Sequence, residues 1–436
     1  MSTIENIKQR YTELQEGRNG VMLKKVEQHA FDTFNRLGIP TTRHEEWKYT
    51  PVHSLFNTDF EFDPSDASIL LTEDEFNNYR LPGNELASEL VFVNGFYSDA
   101  LSAIRSKGLL VLPLEQAMKN GYEEIINKHL GNSGKYVKDG VYALNTAFIH
   151  NGIFIHFDKS HQPDQPVYIY HVTDARSNNI LSFPRNLLYV SAQTELQLVE
   201  TYATLGASES FTNQVMEIII DTAAVVEYYK IQNDSSHANI VSTTHFRQIG
   251  KSYMHAVTIS LGGGLIRNNL NISMEAAFAE AHLYGLYFLK GKTHVDNHTV
   301  VDNVLPNCLS NELYKGIIDD SATAVFNGKI FVQKDAQKTN AFQSNKNILL
   351  SKTATVNTKP QLEIFADDVK CSHGCTVGQL DEEGLFYLRS RGISEKIARS
   401  LLVHAYAIDI LEKIKPIAIR NYVDELISQR LEFNIA

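Results

Sequence analysis

A loose recurrence of about thirty residues, in a stretch with few helix signals, constrains this chain more than any other feature. Tyr189-Val190-Ser191-Ala192-Gln193-Thr194-Glu195-Leu196-Gln197-Leu198 is echoed thirty positions later by Ile219-Ile220-Asp221-Thr222-Ala223-Ala224-Val225-Val226-Glu227-Tyr228. The same order of strand, small-residue corner and strand returns in Ile318-Asp319-Asp320-Ser321-Ala322-Thr323-Ala324-Val325. It returns again 32 positions on, in Leu350-Ser351-Lys352-Thr353-Ala354-Thr355-Val356-Asn357. Small residues at a corner let successive turns of chain approach closely. An all-β segment with this period fits a solenoid, in which coils stack and side chains alternate between a narrow interior and solvent. An antiparallel sandwich whose strands resemble one another by coincidence is the alternative, and periodicity alone leaves both open.

The flanks have a different texture. Ile4 to Leu37 carries apolar residues at helical spacing (Leu14, Val21, Val26, Phe31, Phe34) and stops at Gly38 and Pro40. Asn94-Gly95 between Leu90–Val93 and Phe96-Tyr97 predicts a tight hairpin, and Leu114 to Leu130 reads as helix. Short β-type runs begin near Val141. After Gly392, Ser394 is a candidate N-cap for a helix with Ile397, Leu401, Leu402, Ala405, Ile408, Leu411 and Ile414 along one stripe, ended by Pro416. Ile419, Val423, Leu426, Ile427 and Leu431 predict a second amphipathic helix. The expected division is a helical or mixed region over 1–135, a β core over 136–375 and a helical region over 376–436.

At 436 residues the chain exceeds one ordinary core, and 43% hydrophobic residues are enough to fill two or three units or one elongated repeat. A formal charge of −11 argues against nucleic acid as a partner. Met1 to Leu14 is interrupted by Glu5, Lys8, Arg10 and Glu13, which is not a secretory signal, and no run reaches membrane-spanning length; a soluble cytoplasmic protein is expected. Three cysteines make no disulfide framework and are better considered as thiols or metal ligands.

The densest reactive cluster is Cys371-Ser372-His373-Gly374-Cys375, following Asp367 and Asp368. Two thiolates and an imidazole suit iron or zinc, and Cys308 is a candidate fourth ligand. The spacing is not that of a zinc knuckle, so buried thiols and a hydrogen-bonded structural histidine are the competing reading. His294 and His298 share a strand face but are read as part of a solvated surface. Gly262-Gly263-Gly264 lacks the residues of a phosphate loop and predicts a tight corner. Asp319-Asp320 and Asp367-Asp368 are read as solvated loop carboxylates. The common hydrolase and nucleotide-binding signatures are absent.

Read together, several segments resemble the SufB/SufD family of iron-sulfur cluster assembly scaffolds, and its SufD branch in particular. They are Asn311–Asp320, Ala324–Gly328, Thr358–Gly374 (with Lys370-Cys371-Ser372-His373-Gly374) and Leu385–Ile393, within a matching core of about 290–412; Arg43-His44-Glu45-Glu46-Trp47-Lys48-Tyr49-Thr50 resembles the family's N-terminal block. The resemblance implies a mainly β fold, a right-handed parallel β-helix between helical ends. It also implies a non-catalytic scaffold subunit that pairs with SufB through the β-helix and carries the ATPase SufC on its C-terminal helices. ATP is then hydrolysed by SufC, and no nucleotide is bound by this chain. His373 falls on the family's cluster-related histidine, with Cys371 as an assisting candidate. The expected cargo is a transient iron-sulfur cluster at the interface with SufB, where the sister chain adds a thiolate and a carboxylate. Ser344 stands where the sister scaffold has its sulfur-accepting cysteine, and Cys375 departs from the alanine common at its position. A homodimer of the isolated chain and flavin binding by the complex are left open. Two other readings remain: a β-helical enzyme acting on acidic polysaccharides, and a structural zinc protein using Cys308, Cys371, His373 and Cys375.

Overall fold

The computed structural model describes residues 3–17, 23–62, 71–157, 163 and 165–431. The thirty-residue recurrence is the coil of a parallel β-solenoid. Tyr189 lies beside Ile219 and Glu195 beside Val225, so the two echoing segments are neighbouring turns of chain. Thr323 lies beside Thr355 in the later pair. Along one sheet, Glu195, Val225, Tyr253, Glu280, Leu309, Asn340 and Lys370 stand in one register row, successive residues 27 to 31 positions apart.

Each coil gives one strand to each of two sheets. The first sheet runs through Ser88–Val93, Val167–Ala175, Glu195–Gly206, Val225–Asn233, Tyr253–Gly262, Glu280–Leu289, Leu309–Ile318, Asn340–Leu349 and Lys370–Gln379. The second runs from Leu109–Pro113 and Ile153–Phe157 through Arg185–Val190, Ser210–Ile220, Ala238–Gln248, Leu265–Met274, His294–Asn303 and Thr323–Val332 to Thr355–Ile364. Pairing along these coils is parallel, while Leu109–Pro113 joins antiparallel and Phe96–Tyr97 pairs antiparallel with Ser88–Val93 through the Asn94-Gly95 turn, both of whose residues have positive φ.

Alternation along each strand separates interior from exterior. Leu198, Tyr228, Ala256 and Leu283 point into the lumen, where they join Met216, Phe246, Leu270 and Phe326 of the opposite sheet. Burying such a side chain contributes about 1.5–3 kcal/mol. At the corners the backbone turns through left-handed residues that are not glycine: Gln193, Ala223, Phe278, Asn307 and Lys338. Each costs about 1–2 kcal/mol. The N–H groups of these residues offset part of it by donating to the next coil, for example Gln193 to the Thr222 carbonyl and Asn307 to the Gln337 carbonyl.

The outer faces are covered by the two ends of the chain. Ile7, Phe34, Trp47 and Phe60 pack on Phe211, Val241 and Leu265 of the second sheet. The helices Glu395–Leu411 and Ile417–Arg430 lay Val403, Ala407, Ile410, Ile419, Val423 and Ile427 over Tyr229, Val257, Leu286 and Ile317 of the first. An ion pair ties the N-terminal region to the core: Arg185 and Glu217, both fully buried, approach to 2.7 Å, and Glu217 also accepts from the backbone N–H groups of Gly131 and Ser133.

Several local expectations change. The Ile4–Leu37 pattern forms two helices, Thr3–Gly17 and Lys24–Leu37, with Val21 outside the described residues. Leu114–Leu130 is broken at Asn120 and Gly121, which leave helical geometry. Gly140–Ala147 is helix where β texture was read, because Asp139 caps it by accepting from the Tyr142 N–H. The C-terminal region holds a third helix, Glu382–Ser390, capped by Asp381. Of the stripe read along Glu395–Leu411 and on to Ile414, Leu411 and Ile414 are buried and Leu402 half-buried, but Ile397, Leu401, Ala405 and Ile408 face outward; the buried face is set by Ala398, Val403, Ala407 and Ile410 instead.

Candidate functional site

The coverings leave the last coil largely bare, touching it through the pair of Glu45 with Lys359. The strands Thr355–Ile364 and Lys370–Gln379 end their sheets, and no described strand pairs with the free edge of either. Their residues are exposed or half-buried throughout. The solenoid is therefore open at this end, and its terminal edge offers unpaired N–H and C=O groups.

Register decides which side chains face the open lumen. Ala341 and Gln343, both buried, stand beside Cys371 and His373, and Asn345 beside Cys375. Because Ala341 belongs to the lumen cluster and Gln343 reaches to Glu312 beneath it, Cys371, His373 and Cys375 share the inward row. Cys371 is half-buried against the lumen cluster, and burial pushes its thiol up. His373 and Cys375 are exposed. Neighbours in this row are about 6.6 Å apart at Cα, and Cys371 and Cys375 about 13 Å. One metal ion therefore cannot be chelated by both cysteines on this strand, and the Cys371/Cys375 chelate is set aside.

Cys308 lies elsewhere. It is fully buried at an inner corner, with its thiol near the Leu305 and Ala276 carbonyls, and burial raises its pKa. Among the described residues no three His, Cys, Asp or Glu side chains are arranged to hold a metal, so the four-ligand zinc arrangement does not form. Cys308 stands on an earlier coil than the strand that carries Cys371, His373 and Cys375. Ser344 stands beside Gly374 on the opposite face of its strand from Gln343, hence away from His373.

His294 and His298 do share a face, but that face is not solvated. Thr50 donates to Asp296 and contacts His294 Nε2, while Arg267 reaches both Asp296 and His298 and stacks over the Trp47 ring at 4.0 Å. The Arg43–Thr50 block thus clasps the second sheet, with Glu46 pairing Lys329 and Glu45 pairing Lys359. Burial, the largest influence, lowers both histidines, which makes them structural groups of the clasp. Gly262–Gly264 is a corner as expected: a Cβ on Gly262 would stand 2.6 Å from the Asp234 carbonyl oxygen. Asp320 and Asp368 are also corner residues, held by backbone contacts to neighbouring coils.

Two polar residues of the lumen carried no functional reading from the sequence. Glu312 and Gln343 stand one above the other under His373, and Gln343 Nε2 donates to Glu312 Oε2 at 2.7 Å. Their signal was polar residues at inward strand positions, which requires the register to be known. No described helix is long and apolar enough to cross a membrane.

The chain matches two family models that abut: the SufBD protein N-terminal region over residues 4–169, and the SufBD core domain of the SUF system for FeS cluster assembly over 171–406. It is 31% identical to an iron-sulfur cluster assembly SufBD family protein of Synechocystis, over 95% of this chain and 92% of the relative. The identity is 30% to the iron-sulfur cluster assembly protein SufD of Escherichia coli, covering 91% and 90%, and 26% to the chloroplastic protein ABCI7 of Arabidopsis thaliana, covering 92% and 84%. With both models matched in order and such coverage of its relatives, this chain belongs to the SufBD family of iron-sulfur cluster assembly proteins.

Proposed function

We propose that this chain is a non-catalytic scaffold subunit of the cytoplasm. It builds nascent iron-sulfur clusters jointly with a SufB-type sister, driven by a SufC-type ATPase, and passes them to recipient proteins. The observation that carries the reading is the open coil: an unpaired edge strand presents Cys371, His373 and Cys375 in one inward row, yet their spacing leaves any metal site incomplete. An edge of this kind is completed by strand addition from a second chain, and a sister scaffold that pairs there supplies the missing thiolate and carboxylate. His373 is the imidazole ligand, Cys371 an assisting thiol, and the cluster is cargo. A second copy of this chain pairs with the same edge when the sister is absent. The exposed Phe386 and Tyr387 on Glu382–Ser390, with Ile397 and Leu401 on the next helix, form the face for the ATPase. On this reading residues 376–436 act as the docking unit and 136–375 as the scaffold core.

The test is the iron and acid-labile sulfide content of the anaerobically purified complex with SufB and SufC, wild type against His373→Ala. Loss of both from a variant that still assembles supports the reading. Equal cluster content removes His373 from the site, and failure of the wild-type chain to assemble with its partners refutes the scaffold role.

A further inference from the structure

Among the described residues, the lumen holds two buried glutamates in opposite circumstances. Glu200 is compensated: Lys230 Nζ lies 3.4 Å and His171 Nε2 2.9 Å away, and these contacts outweigh burial to hold its carboxyl at about 2. Glu312 has no such company. Gln343 donates to its Oε2, and the Thr299 hydroxyl faces it across the lumen. Glu312 Oε1 and Gln343 Oε1 are both buried without a hydrogen-bond donor. On its own strand the inward neighbours are Ser310 and Tyr314, a phenol whose own titration burial and the Glu312 charge raise. Leu283 lies below it, Gly328 opposite abuts Gln343, and among the described residues no Lys or Arg is among the groups that act on its charge. Burial pushes the Glu312 carboxyl up to about 7, so it is poised between its two forms at neutral pH.

The row that contains Glu312 and Gln343 continues outward to His373. Two strand spacings separate Glu312 from His373, about 10 Å. Resting on the assignment of His373 as an iron ligand, we propose that Glu312 is the buried counter-charge of that site: it holds a proton while the open end is empty and releases it when a cation is bound at His373. The O–H bond of the carboxyl breaks, the proton leaves to solvent through the open end, the carboxylate remains, and nothing is oxidised or reduced. At an effective dielectric constant of about 20, charges about 10 Å apart favour each other by roughly tenfold in binding constant per unit of charge. A ferrous site thus gains from a carboxylate that touches none of its ligands. An uncharged lumen would be more stable without cation; a permanently ionised Glu312 would be costly while the end is empty.

The test uses the complex with the sister scaffold and ATPase, titrated anaerobically with ferrous iron against a chelator. Glu312→Gln keeps the shape and the acceptor for Gln343 but cannot ionise. It is expected to weaken iron at pH 8 by about tenfold or more. Competition by protons for the ligands themselves is common to both proteins, so their difference isolates Glu312. Infrared difference spectra of the wild-type complex at pH 6.5, below the titration of the empty site, should lose a protonated-carboxyl band on iron loading, a signal absent from Glu312→Gln; this arm uses unaltered protein and stands whether or not the variant folds. Unchanged iron affinity in Glu312→Gln, with no carboxyl signal in the wild type, overturns the role of Glu312 alone if His373→Ala still loses iron. Unchanged iron in His373→Ala overturns the site assignment and this inference with it.

Discussion

Arg185→Leu is expected to destabilise the protein in a way that depends on pH. Arg185 and Glu217 are fully buried and 2.7 Å apart, and Glu217 also accepts from Gly131, Ser133 and the Ser133 hydroxyl. Removing one member of such a pair costs about 3–5 kcal/mol, because the other charge stays buried. The remaining donors place the loss near the lower end, about 3 kcal/mol at pH 8. Burial pushes the Glu217 carboxyl up, but Arg185 and the donors outweigh it and hold it below its ordinary value. A depressed folded-state carboxyl contributes stability above its unfolded value, about 4.3, that is lost as pH falls through the folded one. Without Arg185 burial dominates and the carboxyl rises, so the variant binds a proton on folding and recovers stability as pH falls. The gap between wild type and variant should be wide at pH 8 and narrow at pH 5. Hydrogen exchange of the Gly140–Ala147 helix, together with urea unfolding at the two pH values, reads the effect where the pair acts. Adding Glu217→Leu to Arg185→Leu should restore much of the loss at pH 8. An equal gap at both pH values, or a double variant no better than the single one, refutes the reasoning.

Two further perturbations follow from packing. A Cβ on Gly316 would stand 2.2 Å from the Tyr287 ring and 2.3 Å from Asn347 Oδ1, so Gly316→Ala should cost about 1–3 kcal/mol in thermal unfolding, whereas Gly374→Ala, with nothing within 4 Å, should stay within about 0.5 kcal/mol. Phe386→Asp combined with Leu401→Glu, on exposed helix surface, should leave the melting temperature unchanged while abolishing co-purification of the ATPase; retained co-purification moves the docking face elsewhere.

How far the sequence reached depended on which physical constraint each feature expressed. Parallel stacking places a residue beside the one about thirty positions on, so corner and strand chemistry must repeat, and Tyr189–Leu198 against Ile219–Tyr228 shows that repeat directly. The Asn94-Gly95 turn and the Ser394 cap are likewise local: their backbone geometry is met by a few adjacent residues. The stripe along Glu395–Leu411 was not local in this sense. That helix carries apolar residues on more than one face, and only docking against Tyr229, Val257 and Leu286 decides that Val403 and Ala407 are inside while Ile397 and Leu401 are out.

The site divides in the same manner. The sequence by itself carried the thirty-residue recurrence, the Ser394 cap and, through its resemblance to a scaffold family, the expectation that fixed attention on the strand holding Cys371 and His373. Tertiary structure alone decided that this strand is the last one, with a free edge and an open lumen, because periodicity says which face a residue occupies and not which coil lacks a neighbour. It decided that Cys308 is buried apart from Cys371, and that the Arg43–Thr50 clasp packs over the face of His294 and His298, leaving the first half-buried and the second buried. It also placed Glu312 without a counter-charge two rows beneath His373. Each of these depends on what lies across a sheet or beyond an edge, and contacts between residues tens to hundreds of positions apart leave no periodic trace in the chain.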